Sequence, residues 1–209
     1  LMGLLDPDTE SYFQNLKTLL AENVNTFPQK EAKDVFSYAV NYCIHKINKG
    51  NKEYLTELFG IYSQMIEQEI IYEKGWLSPW SFKNIVSVAC RVKNYDWAES
   101  FIKNYKGKIA PGFRENATFY NLAFLRFHTN DFAPALQALQ KVEFTDVYYA
   151  LNAKILLLKI YYELNEEEAL IAHLNAFKIY LKRNKQIPDY VKTLWGNLAK
   201  FTGRLVRCL

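Results

Sequence analysis

Apolar side chains recur along this chain at intervals of three and four residues, with polar ones between them. That is the period of helices buried along one side. Phe13, Leu16, Leu19 and Leu20 follow Asp6-Pro7 and Asp8, which predict a capped helix running to about Val24. Pro28 opens a second segment carrying Val35, Ala39, Tyr42 and Ile47, and Gly50-Asn51 stops it. Tyr54, Leu55, Leu58, Tyr62, Met65 and Ile66 predict a third, closed by Gly75. Ser78-Pro79 reads as a cap with a first-turn proline, ahead of Phe82, Ile85, Val86 and Ala89. Asn94 marks a turn before Trp97, Phe101 and Ile102, while Gly107 and Pro111-Gly112 predict a loop.

The second half is more regular. One helix is predicted over Phe119–Phe127 and its partner over Phe132–Val142. Thr145-Asp146 caps the next, which runs to about Glu163 and is apolar on nearly every face, so it should lie at the centre of its stack. Asn165 caps another whose first turn is Glu166-Glu167-Glu168 and whose end is Lys182-Arg183-Asn184-Lys185, acids and bases each at the helix end that favours them. Ile187-Pro188-Asp189 opens the last, with Val191, Leu194, Trp195, Leu198 and Leu205 on one face. No stretch alternates with period two over a strand's length. The expectation is an all-α protein, more than ~60% helical and without a sheet.

The segments also repeat. Phe127 to Phe132 with Ala135-Leu136 resembles Tyr161 to Glu166 with Ala169-Leu170 at an offset of 34 residues, and Asn94 to Ala98 matches Asn130 through Ala135 at an offset of 37. This aligns Ala98, Ala135 and Ala169 as the small residue of each second helix. Over roughly Ser78 to Leu181 the chain resembles tetratricopeptide repeats, although the signature Trp, Gly and Pro positions of that family are mostly replaced. Tyr120 to Leu181, with Gln140 to Phe144 and Leu181 to Asn184, is also similar to bacterial helical-repeat proteins of no assigned activity. The resemblance implies a solenoid of about nine or ten helices in one domain, 1–209, with irregular pairs over 1–77 and repeat-type pairs over 78–209.

Composition agrees with a packed core. The chain has 209 residues, half of them hydrophobic, and only eight Gly and six Pro, too few for a turn-rich sheet protein. The longest apolar run, Ile155 to Leu158, is far short of the ~20 residues a bilayer needs. No signal peptide opens the chain, and its first residue, Leu1, fits a piece of a longer protein. Cys43, Cys90 and Cys208 form no CxxC pair, which predicts reduced thiols and a cytoplasmic place. From Lys178 onward eight bases face one acid, Asp189, so this end carries +7 and the remainder −3 of the net +4.

No residue set carries chemistry. His45 beside Cys43, His128 and His173 lack the converging partners a metal requires, and no phosphate loop or nucleophile elbow is present. Helix caps and first turns explain the carboxylates Asp6, Asp8, Glu10 and Glu166 to Glu168. The chain therefore reads as no enzyme, with no cofactor, metal or small-molecule substrate. Trp76 and Trp80 bracket the turn at Ser78-Pro79, either as a partner stack or as staples of the helix start, the second being favoured.

Two functions are compatible with these observations. In the family the first helices of the pairs line a groove for a peptide or protein. Counting back from the three alanines places Lys83, Asn84 and Ser87, then Tyr120, Asn121 and Phe124, then Lys154, Ile155 and Leu158 at those positions. Of these, Lys83, Asn84, Asn121 and Lys154 would supply donors and Tyr120 and Phe124 an apolar floor, while Ile155 and Leu158 also read as core. The alternative is an anionic partner, an acidic protein or nucleic acid, on Lys178, Lys182 and Lys185. Nucleic acid is the weaker choice because aromatics do not interleave with those bases.

Overall fold

The computed structural model describes residues 10–23, 28–143 and 146–206. The expected cap at Asp6 to Asp8, the helix end at Val24, Phe144, Thr145 and Cys208 lie outside them. Among the described residues 80% are helical. The helices are α1 (Glu10–Asn23), α2 (Gln29–Asn48), α3 (Tyr54–Glu67), α4 (Pro79–Arg91), α5 (Tyr95–Tyr105), α6 (Pro111–His128), α7 (Phe132–Leu139), α8 (Val147–Glu163), α9 (Glu167–Arg183) and α10 (Asp189–Leu205). The expectation of no strand is off by one small hairpin, β1 (Tyr72–Glu73) on β2 (Trp76–Leu77). Its register pairs Tyr72 with Leu77 and Glu73 with Trp76. Lys74 and Gly75 both take positive φ, 51° and 81°, the bend that suits a two-residue hairpin. Gly75 therefore turns the hairpin, and α3 has already ended at Glu67.

Helix starts follow the capping chemistry. Ser78 Oγ accepts from Ser81 N at 3.0 Å, with Pro79 in the first turn of α4. Asp146 Oδ1 accepts from Tyr149 N at 2.8 Å and starts α8. The loop expected around Pro111-Gly112 is instead the first turn of α6, preceded by a 3₁₀ turn at Lys106–Lys108. Proline fits there because a first-turn N–H has no intrahelical partner to lose.

Helix ends share one device. At the end of α4, Lys93 N donates to Cys90 O and Asn94 N to Ala89 O. At α6, Asn130 N and Asp131 N donate to Phe127 O and Arg126 O. At α8, Asn165 N and Glu166 N donate to Tyr162 O and Tyr161 O. Lys93, Asn130 and Asn165 sit left-handed at φ 62°, 61° and 54°. Asn94, Asp131 and Glu166 follow with φ/ψ of −90°/68°, −96°/65° and −83°/73°. The three turns thus have one backbone geometry. Asn165 is the left-handed residue and Glu166 the cap, one place later than expected. The offset between the last two turns is accordingly 35, from Asn130 to Asn165. Leu170, whose N donates to Glu166 O as Ala135 N does to Asp131 O, stands in line with Ala98 and Ala135. Ala98 and Ala135 are fully buried and Leu170 nearly so, whereas Ala169 is partly exposed. The sequence match had slipped by one residue at its third copy.

The chain divides into two compact units, residues 1–114 and 115–209. In the first, α1 packs on α2, α2 on α3, α3 on α4 and α4 on α5. Aromatic rings fill these seams: Phe13 stacks on Tyr42 at 4.6 Å, and Phe82 lies 5.2 Å from Phe101. In the second unit α8 is shared by two layers. Tyr149, Ala153, Leu156 and Ile160 join Tyr120 and Ala123 of α6 with Ala135 and Leu139 of α7. On its other side Leu151, Ile155 and Leu158 join Leu170, Leu174, Phe177 and Leu181 of α9 and Ala199 of α10.

The apolar residues of α10 do not form one buried face. Val191, Trp195 and Leu198 pack on the core, whereas Tyr190, Leu194, Phe201 and Leu205 are 77%, 58%, 56% and 54% exposed. No helix of the described residues is long and apolar enough to cross a membrane.

Candidate functional site

In the first unit the hairpin and the Ser78 cap set the start of α4. Alternation along β2 turns Leu77 inward, where it is fully buried and bridges Ile109, and leaves Trp76 42% exposed. The staple positions, one before the cap and the fourth after it, belong to Leu77 and Phe82, both fully buried. Trp76 and Trp80 are therefore not the staples; Trp80 is 39% exposed on the first turn. Lys83 Nζ stands 5.4 Å from the Trp80 ring centre. Partial burial lowers the pKa of this ammonium. Asn84 is exposed, and Ser87 is half-buried. Trp80, Lys83, Asn84 and Ser87 fall at the three- and four-residue spacing of one helix face. Asn84 also hydrogen-bonds Tyr62, whose phenol burial and the nearby Cys43 push up to about 12 against that bond.

The expected groove residues of the second unit are placed differently. Tyr120 is buried, edge-on to Tyr149 at 5.0 Å, and burial pushes its phenol pKa up. Asn121 is fully buried, its Nδ2 donating to Ala117 O at 2.7 Å. Neither can meet a peptide, because α6 turns both toward the core it shares with α7 and α8. Phe124 is half-buried against the His128 ring at 4.3 Å. Lys154 is half-buried with Nζ 5.0 Å from the Tyr180 ring centre, and desolvation lowers its pKa. Its carbonyl lies 2.9 Å from His173 Nε2, so that nitrogen carries the proton. His173 is held below its ordinary pKa, chiefly by burial. Lys154 thus belongs to the contact of α8 with α9. Aligning the turns puts Ile155, Leu156 and Lys159 level with Tyr120, Asn121 and Phe124, so the row of donors counted from Ala169 does not continue. Ile155 and Leu158 are core.

Set against protein-family models, curated proteins and solved structures, the chain matches none. The arrangement of its own residues carries the argument.

Lys178, Lys182 and Lys185 are all exposed at the end of α9 and just beyond it. Among the described residues no three His, Cys, Asp or Glu side chains converge on a metal-sized site. Cys43 and Cys90 are free, buried thiols, and burial pushes both up to about 12, so they are neutral at ordinary pH.

Three features were not anticipated. A cleft of about 200 Å³ in the first unit is lined by Ser63, Ile66, Trp97, Phe101, Asn104 and Tyr105. Lys46 is 8% exposed, with its ammonium 5.4 Å from the Tyr42 ring centre and 6.0 Å from that of Tyr54, while the Tyr54 hydroxyl donates to Glu10. That bond is the main reason the Glu10 carboxyl sits below its ordinary pKa. The third is the exposed stripe of α10. Its spacing was present in the sequence, but the same helix carries a second apolar face that masks it.

Proposed function

We propose that this chain is a non-enzymatic protein-interaction module of the tetratricopeptide-like kind, which takes a peptide or protein partner on the exposed face of α4. The observation that carries the reading is Trp80 on the first turn of α4, with Lys83 over its ring and Asn84 one turn on, and Trp76 exposed on β2 just ahead of the helix. Trp76 and Trp80 are each about two-fifths exposed, Lys83 lies over the Trp80 ring, and large aromatics dominate binding energy when a partner covers them. A half-desolvated ammonium gains by meeting a carboxylate, so an acidic segment or a chain's carboxylate end suits this face. The tetratricopeptide-like assignment is supported by three turns of one geometry, 37 and 35 residues apart, close to the family's period of about 34. Free buried thiols favour a cytoplasmic place.

The test is the affinity of a partner captured with the chain. Trp80→Ala and Lys83→Ala should each weaken it about tenfold or more at unchanged melting temperature. Unchanged affinity in both variants would overturn the assignment. The anionic-partner reading keeps one observation in its favour, the exposure of Lys178, Lys182 and Lys185 together. If it is right, Lys182→Ala/Lys185→Ala weakens binding, and the affinity falls steeply with salt.

A further inference from the structure

The exposed stripe of α10 has a symmetry that limits what can cover it. Tyr190, Leu194, Phe201 and Leu205 lie four, seven and four residues apart, a palindrome about the Asn197–Leu198 peptide. All four project within a sector of about 60° on a helix of 3.6 residues per turn. This sector borders the side that Val191, Trp195 and Leu198 pack against the core, so α10 has a wide apolar face of which its own unit covers one half.

We infer that this stripe is a self-association surface, on which two copies of the chain pack α10 against α10 antiparallel about a two-fold axis. In that register Tyr190 of one copy meets Leu205 of the other, and Leu194 meets Phe201, with both contacts repeated by the symmetry. The polar flank obeys the same register. Asp189, Thr193, Lys200 and Arg204 lie on one flank of α10, and the long Arg204 and Lys200 side chains of one copy reach toward Asp189 and Thr193 of the other. The Asp189 carboxylate is 97% exposed, its contact to Lys192 at 3.3 Å notwithstanding, and can accept a second base. Antiparallel order also lays each helix's positive end against the other's negative end. A seam of this length, 17 residues or ~25 Å, buries on the order of 1,000 Å² in total, the lower bound for a specific contact. A contact at that lower bound makes the dimer a weak, reversible one. It goes beyond the reading of α4 and needs no other partner, so either can fail without the other.

The experiment is sedimentation velocity on the whole chain at physiological salt, from about 1 to 300 µM, the range in which weak dimers form and dissociate. The dimer fraction should rise across the range. Leu194→Asp and Phe201→Asp should each raise the dissociation constant at least about tenfold at unchanged melting temperature, since both side chains are exposed. Asp189→Arg and Arg204→Asp should each weaken the dimer, and the two together should restore it. A chain that stays monomeric at every concentration overturns the proposal. So does a dimer indifferent to Leu194→Asp and Phe201→Asp. Weakening by both charge reversals without recovery in the double variant overturns the antiparallel register. If a monomeric chain instead binds vesicles of anionic lipid or an acidic amphipathic peptide through Leu194 and Phe201, the stripe belongs to that partner and the second copy is wrong.

Discussion

α8 and α10 are both 17 residues long, and both carry apolar side chains around more than one face. They end in different surroundings. α8 is covered by α6 and α7 on one side and by α9 and α10 on the other. α10 is covered on one side and shows Tyr190, Leu194, Phe201 and Leu205 to solvent on the other. A helix apolar on several faces says how much surface has to be covered. It does not say whether its own chain does the covering.

Single substitutions can break or sharpen this contrast. The largest effect belongs to the shared helix. Leu156 is 4% exposed in the layer with α6 and α7, so Leu156→Ala should cost about 2–5 kcal/mol in urea unfolding, while Lys159→Ala on the same helix should change little. Equal effects would mean that α8 is not the shared element. Next comes the register of the small residues. Ala135 is fully buried and Ala169 partly exposed, so Ala135→Leu should overpack by about 1–3 kcal/mol. Ala169→Leu should stay within about 0.5 kcal/mol. The reverse order would restore the 34-residue offset. The smallest effect belongs to α10, where Leu194→Asp should move the thermal midpoint of dilute protein by no more than ~1–2 °C, as expected of an exposed site. A large loss there would show Leu194 to be core.

Much of the fold was legible because helix starts carry side-chain signals. Ser78-Pro79 and Asp146 cap as read, and the apolar excess of α8 marked it as central. Helix ends were harder. The left-handed position is held by Lys93 in one turn, and lysine gives no sign of that conformation, whereas Asn130 and Asn165 do. The third register rested on the match of Phe127 to Phe132 and Ala135-Leu136 with Tyr161 to Glu166 and Ala169-Leu170, which set Asn165 level with Asp131 instead of Asn130, and it slipped by one. That slip, with the burial of Tyr120 and Asn121, is why most of the groove did not survive in the second unit. Lys83 and Asn84 stay out of the core of α4, whose start the Ser78 cap fixes directly. The Lys74-Gly75 hairpin escaped notice because two-residue strands are too short to show alternation.

The three equal turns bear on how this chain can change. Lys, Asn and Asn occupy the bend, followed by Asn, Asp and Glu, and the backbone is the same each time. The bend is therefore written in main-chain hydrogen bonds and in the length of the connection rather than in particular side chains. Point substitution at those six positions should be tolerated, β-branched residues and proline at Lys93, Asn130 and Asn165 excepted. A single inserted residue should be tolerated less, because it would break the paired main-chain hydrogen bonds that close the bend. Drift at these joints is milder in letters than in length.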